Sequence, residues 1–173
     1  NSSMTTQLRT LPRSVHPGTG ETFHSWLTRF AGELQYSPTD LHAAIGYNQG
    51  NTSPNIRAYG FSIPDDALAN ISHTTRIDPE TIQNTLLSVF NGGPLDFDEA
   101  MLIEPAGMRK IGLSNWLHSG TSTMCAHCLA ANGHQWQLTW RLPWVFACTD
   151  HNVVHEYTCP KCLEPFPAGR RRD

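Results

Sequence analysis

Cys125-Ala126-His127-Cys128 and Cys148-Thr149-Asp150-His151 are the two stretches of this chain whose residue types and spacing point most directly to chemistry. A Cys-x-x-Cys turn folds back on itself and delivers two thiolates to one ion, and zinc takes four such soft or borderline ligands at tetrahedral angles. With 19 residues between Cys128 and Cys148, the pairs have the spacing of two ligand turns joined by a hairpin. A third pair, Cys159-Pro160-Lys161-Cys162, follows. Six candidate ligands exceed one tetrahedral site and fall short of two. Either Cys125, Cys128, Cys148 and His151 form a site and Cys159 and Cys162 are a possible second half-site, or Cys125 and Cys128 join Cys159 and Cys162. The first set closes the shorter loop at the smaller entropic cost, which favours it. His155 offers itself as a third ligand beside Cys159 and Cys162. The ordinary reading for His127, His134 and His155 is a solvated or packed side chain.

A catalytic zinc keeps one position open for water and has an acid or base nearby. Four protein ligands close the favoured site, and no His-x-Glu or HExxH pattern accompanies it. No glycine-rich elbow presents a nucleophile, and no Gly/Lys loop is shaped for phosphate. Cys-Pro-x-Cys is also a redox motif, but that use requires a helix start within a βαβ unit, which this segment lacks. The expectation is structural Zn2+, at least one ion per chain, in a protein that is not an enzyme and has no small-molecule substrate.

The elements that must position these ligands divide into two kinds. Between the first two ligand pairs, WQLTWRLPWVFA alternates apolar residues around a proline and reads as a β-hairpin of zinc-ribbon type. Trp136, Trp140 and Trp144 recur every fourth residue, so on a strand they share one side, packing the ribbon against the helical part or forming a binding platform. Earlier in the chain, Phe23, Trp26, Leu27, Phe30 and Leu34 make one apolar stripe at helical spacing. Pro38 to Ile45 follows as a short helix with serine, proline and glycine in the expected places. Two further helices are predicted, from about Pro64 to Thr74 and from Pro79 to Phe90, each opened by proline and acids. Ala67, Leu68 and Ile71 on one, and Ile82, Leu86 and Val89 on the other, supply apolar faces. A pair joined so tightly is either a helix-turn-helix or two packed helices of a small bundle.

The fold class expected is therefore small α+β: an N-terminal helical, helix-turn-helix-like domain followed by a zinc-ribbon-like C-terminal domain. Residues 1–20 read as an extended arm, with nothing structural assigned to Asn1 to Ser3 ahead of Met4. Residues 21–95 form the helical domain, 96–118 a Gly/Pro-interrupted acidic connector and 119–173 the ribbon-like domain; YNQGNTSPN is a loop. At 173 residues with 39% hydrophobic content the chain has material for one ordinary domain or two small ones. No stretch approaches the length of a membrane span, and five cysteines without an export signal argue for metal over disulfides and for a cytoplasmic protein. The formal net charge of −3 lacks the basic excess of a protein that binds nucleic acid unaided. Arg9, Arg13, Arg109, Lys110 and Arg170 to Arg172 remain as local phosphate contacts or solvated charges.

The run CAHCLAANGHQWQLTWRLPWVFACTDHNVVHEYTCPKC resembles the signature of the TniQ proteins, in which a Cys-x-x-Cys precedes a tryptophan-rich hairpin, a Cys-x-x-His and a Cys-Pro-x-Cys. SWLTRFAGEL, after a proline-containing arm, is similar to the opening helix of that family, so the resemblance covers about residues 10 to 166. TniQ-like proteins are target-selection factors of bacterial transposons, linking target DNA or an RNA-guided CRISPR effector complex to an AAA+ ATPase that recruits the transposase. Carried over, the family's zinc site falls on Cys125, Cys128, Cys148 and His151. A further Cys-x-x-Cys that completes a second site in relatives is missing before the chain stops at GRRRD, as expected of a minimal member or a truncated one. An adaptor whose chief contacts are proteins also accommodates the negative charge. The alternative is a stand-alone zinc-containing helix-turn-helix DNA-binding regulator.

Overall fold

Helix α1 begins where Thr22 leaves helical dihedrals and its hydroxyl accepts the Ser25 N–H. It runs Phe23–Leu34 and stops at Gln35, whose left-handed backbone turns its N–H back onto the last carbonyls. Described in this computed structural model are residues 8–47, 60–98, 110–111, 117 and 121–166. All of the expected loop at 47–55 but Tyr47, most of the connector, Arg109 and Arg170 to Arg172 lie outside the described residues. Helix α2, Pro38–Ala44, has Ser37 as its cap with the hydroxyl accepting from Asp40 N–H, and proline at its start. Helix α3 spans Asp65–Thr75 and ends at left-handed Arg76. Helix α4, Pro79–Gln83, is capped by Asp78, whose carboxylate accepts the Thr81 N–H at 2.8 Å.

The expected helix from Pro79 to Phe90 therefore ends early. Thr85 closes its own turn, its hydroxyl donating to Ile82 O at 2.6 Å. Leu86 is extended, and the following residues donate to another part of the chain: Leu87 N–H to Gly60 O and Ser88 N–H to Phe61 O, while Phe23 N–H donates to Thr85 O. These backbone bonds compete with helical ones, and a 3-10 turn, Leu87–Phe90, follows. Ile82 and Leu86 stay buried, whereas Val89 is left exposed.

The α1 stripe meets α2, α3 and α4 in the largest apolar cluster, where Phe23, Trp26 and Phe30 are fully buried beside Leu41, Ile45, Ile71 and Ile82. The described part of the arm belongs to it. Leu11 is buried and donates its N–H to Thr74 O, and Trp26 Nε1 donates to Val15 O at 2.6 Å. Arg13 pairs with Glu33 at 3.0 Å on the surface, and Arg9 and Lys110 are exposed.

A second cluster joins Phe61, Leu87, Leu95 and Phe97 to Leu138 and Leu142 from the cysteine-rich segment. Arg141 is buried with it, its guanidinium lying over the Phe61 ring at 5.1 Å and Nη1 donating to Gly60 O at 3.5 Å. Desolvation brings this guanidinium down to about 10. A third cluster gathers Met124, Cys125, Trp140 and Cys148, with Trp136, Val153 and Phe166 against them.

Among the described residues the sheet is small: β1, Ala147–Cys148, pairs antiparallel with β2, Val153–Val154, with Cys148 opposite Val153. The hairpin expected over WQLTWRLPWVFA is not there. Its centre is a 3-10 turn, Leu138–Arg141, because the backbone before it is engaged elsewhere. Thr22 N–H donates to Trp136 O at 2.8 Å, Leu138 N–H to Gly20 O at 2.7 Å, and Glu21 bridges Gln137. Consequently the three tryptophans do not share a side: Trp140 is buried, Trp136 half-buried and Trp144 exposed.

Candidate metal centre

Cys125 precedes a six-residue helix, α5 (Ala126–Ala131), and Cys128 lies within its first turn, so the helical twist brings both thiols to one side. Leu129 N–H to Cys125 O and Asn132 N–H to Cys128 O hold that turn. Cys148 ends β1, and His151 occupies the tight connection to β2, where Asn152 adopts a left-handed φ of 53° that asparagine tolerates. Met124 and Glu156 exchange both backbone bonds, at 2.9 and 2.8 Å, which locks the strand leading into Cys125 beside β2.

The ligand atoms of Cys125, Cys128, Cys148 and His151 all lie within 4.8 Å of one another. Nδ1 of His151 is 3.7 Å from Cys125 Sγ, 3.3 Å from Cys128 Sγ and 3.4 Å from Cys148 Sγ, and Cys128 and Cys148 sulfurs are 3.5 Å apart. Tetrahedral zinc, with Zn–S of about 2.3 Å and Zn–N of about 2.0 Å, spaces its ligand atoms roughly 3.5–3.8 Å apart. The donor set fits such an ion in type, number and spacing. Cys125 and Cys148 are buried, Cys128 is half-buried and His151 is exposed, so the group sits at the surface with its sulfurs turned inward.

Crowding polarises the thiols. Desolvation, reinforced by hydrogen bonds with Cys148 and Cys125, pushes Cys128 up to about 12, while the hydrogen bond from His151 brings Cys148 down to about 7. Desolvation is thus the main obstacle to ionising Cys128. A divalent cation held by these residues would take the place of the protons, so its binding would be coupled to proton release.

Cys159 and Cys162 lie apart from this group in a small C-terminal turn. Cys159 N–H donates to Glu164 O, Leu163 N–H returns to Cys159 O, and Leu163 takes a positive φ of 59°. The backbone N–H groups of Cys162 and Lys161 hold Cys159 below the usual thiol range. Among the described residues no other Cys, His, Asp or Glu joins the pair at ligand spacing. His155, considered as their third ligand, faces inward: its Nδ1 is 3.1 Å from Thr123 Oγ1 and 3.2 Å from Val145 O, with Trp140 edge-on to the ring. His134 is exposed on a left-handed backbone. His127, by contrast, stacks on His151 with ring centroids 5.2 Å apart, a contact with no signal in the sequence.

Behind the site, a buried polar cluster couples it to α1. Glu21 is fully buried, bonded to Arg29 Nη2 and to Gly18 N–H at 2.8 Å each, and accepts the Ser25 hydroxyl at 2.8 Å. The same hydroxyl oxygen accepts Trp136 N–H at 3.1 Å. Neither Glu21 nor Ser25 stands out from its spacing alone.

The fold and the cluster thus describe a small, α-rich protein whose C-terminal part is organised round a Cys/His group able to hold a metal ion. The chain belongs to the TniQ family, whose profile matches residues 12–154, most of its length. No curated protein gives a significant match. Family membership carries a transposition-associated role in target selection. Among the described residues, no helix is long and apolar enough to cross a membrane.

Proposed function

We propose that this protein is a cytoplasmic transposition adaptor: it links target DNA, or an RNA-guided effector complex, to the AAA+ ATPase that regulates a transposase, and so directs target-site selection. The family match over residues 12–154 is the observation that carries this reading. In it, the ion at Cys125, Cys128, Cys148 and His151 is zinc, and its work is structural, since four protein ligands leave no position for water or substrate. The helical part, taken as residues 21–95, and the ribbon-like part, taken as 119–173, present contact surfaces rather than a reaction centre.

The charge supports the same view. With a net charge of −3, few phosphates can be neutralised, so counterion release contributes little and affinity must come from protein contacts in the assembly. Association with the cognate ATPase, assembled on DNA with nucleotide, is the expected result of a pull-down, beside weak binding of random duplex DNA at physiological salt. Tight sequence-specific DNA binding by the isolated chain, with no ATPase association, would replace this reading with the stand-alone regulator. That alternative relies on α3 and α4 as a helix-turn-helix. It has less support, because α4, PETIQ, is five residues long and carries no basic side chain to meet DNA.

A further inference from the structure

The imidazole of His151 is covered on one face by a second histidine ring. Its Nδ1 faces the three sulfurs at 3.3–3.7 Å, which directs Nε2 away from the cluster. Metal-bound imidazoles are ordinarily oriented by a hydrogen bond from the second ring nitrogen to a carboxylate, a carbonyl or water. Among the described residues none accepts from Nε2 of His151, and the residue is exposed, in a turn supported by a two-residue hairpin. What does touch the ring is His127, stacked on it from α5 with an interplanar angle of 25°. His127 follows Cys125 by two residues and precedes Cys128 by one, so the helix that carries Cys128 and has Cys125 at its N-cap also supplies the ring that covers the fourth ligand.

We propose that His127 is a positioning residue of the metal centre: its ring, stacked on His151, fixes the plane of that imidazole and slows departure of the ion by the exposed side. This rests on the metal reading of Cys125, Cys128, Cys148 and His151. The contact needs an aromatic face, not a proton or a charge, so phenylalanine should serve at position 127 and alanine should not. Alanine is the better helix former, so a loss in His127→Ala cannot be traced to a weakened α5.

The test uses the full chain loaded with zinc, with metal content measured first and the rate of zinc transfer to a chromogenic chelator second. The Co2+-substituted forms report ligand geometry through their d–d bands. One zinc per chain is expected in the wild type, His127→Ala and His127→Phe, with transfer about three- to tenfold faster in His127→Ala, the range that a stacking contact of about 0.5–1.5 kcal/mol covers. His127→Phe should return to the wild-type rate, and the Co2+ bands should shift in the alanine variant alone. One zinc per chain with equal rates in all three, or a phenylalanine variant as fast as alanine, overturns this inference and leaves the metal reading standing. A wild-type chain that holds no zinc overturns both.

Discussion

Cys148 and Cys159 are chemically the same residue and sit 11 positions apart, yet their surroundings separate them. Cys148 is buried within reach of Cys128 and His151, whereas Cys159 is half-buried in a terminal turn with Cys162 beside it. On the proposed zinc reading, Cys148→Ser should abolish zinc binding and, with it, binding energy on the order of 10 kcal/mol that contributes to folding; Cys159→Ser should keep both. Metal analysis and thermal melts of the two variants decide this, and equal damage would favour the rival set of Cys125, Cys128, Cys159 and Cys162. Glu21 makes a second residue-level case. Its carboxylate is sealed from water and Arg29 supplies its counter-charge, with the Arg29 side chain still 30% exposed. Arg29→Ala should destabilise by about 1–3 kcal/mol in urea unfolding, the cost of leaving a buried charge on two neutral donors. Adding Glu21→Gln should recover part of that loss.

At the scale of elements, α1 matters most because it serves two partners. Its apolar stripe is read directly from 3.6-residue spacing, and the structure places its start at Thr22. Thr22 also donates its N–H to Trp136 O, so the cap of the helix is at the same time the seam with the cysteine-rich part. Thr22→Ala keeps the seam and removes the cap; a loss of about 1 kcal/mol is expected in chemical denaturation, with zinc content unchanged. Loss of zinc in that variant would mean that the seam and the metal site are not separable. The segment from Trp136 to Phe146 shows the opposite case. Alternation and proline suggested a hairpin, but no local pattern discloses that Gly20 and Thr22 are to bond residues 136 and 138. Likewise the apolar period beyond Gln83 continues smoothly, and it is bonds to Phe23, Gly60 and Phe61, remote in sequence, that compete with the helix there.

For the whole molecule, histidine burial sets an acid limit on stability. His24 is held down to about 4 by desolvation first, then by His42 and Arg141; burial also lowers His42 and His155. A folded value below the unfolded 6.5 means that the unfolded chain takes up the proton more readily. Stability from a neutral His24 is therefore complete above about pH 6.5 and is lost as the pH falls toward 4. Melting temperature measured between pH 7.5 and 5 should drop, and His24→Gln should drop less over the same interval. Parallel curves for the two proteins would assign the acid sensitivity to other groups.

The sequence by itself determined those features that depend on neighbours along the chain: the α1 stripe, the serine, aspartate and proline starts of α2 and α4, and the turns that present Cys125 with Cys128 and Cys148 with His151. The family resemblance was equally legible in the order and spacing of these turns, and the family match covers residues 12–154. Only the tertiary structure decided which turns face each other, because the choice between Cys148/His151 and Cys159/Cys162 as companions of Cys125 and Cys128 concerns distance in space. It alone placed His127 over His151, turned His155 inward, buried Glu21 and Arg141, and ended α4 at Gln83. Each of these outcomes comes from a hydrogen bond or ring contact between side chains or backbones that the spacing of residues along one segment does not encode.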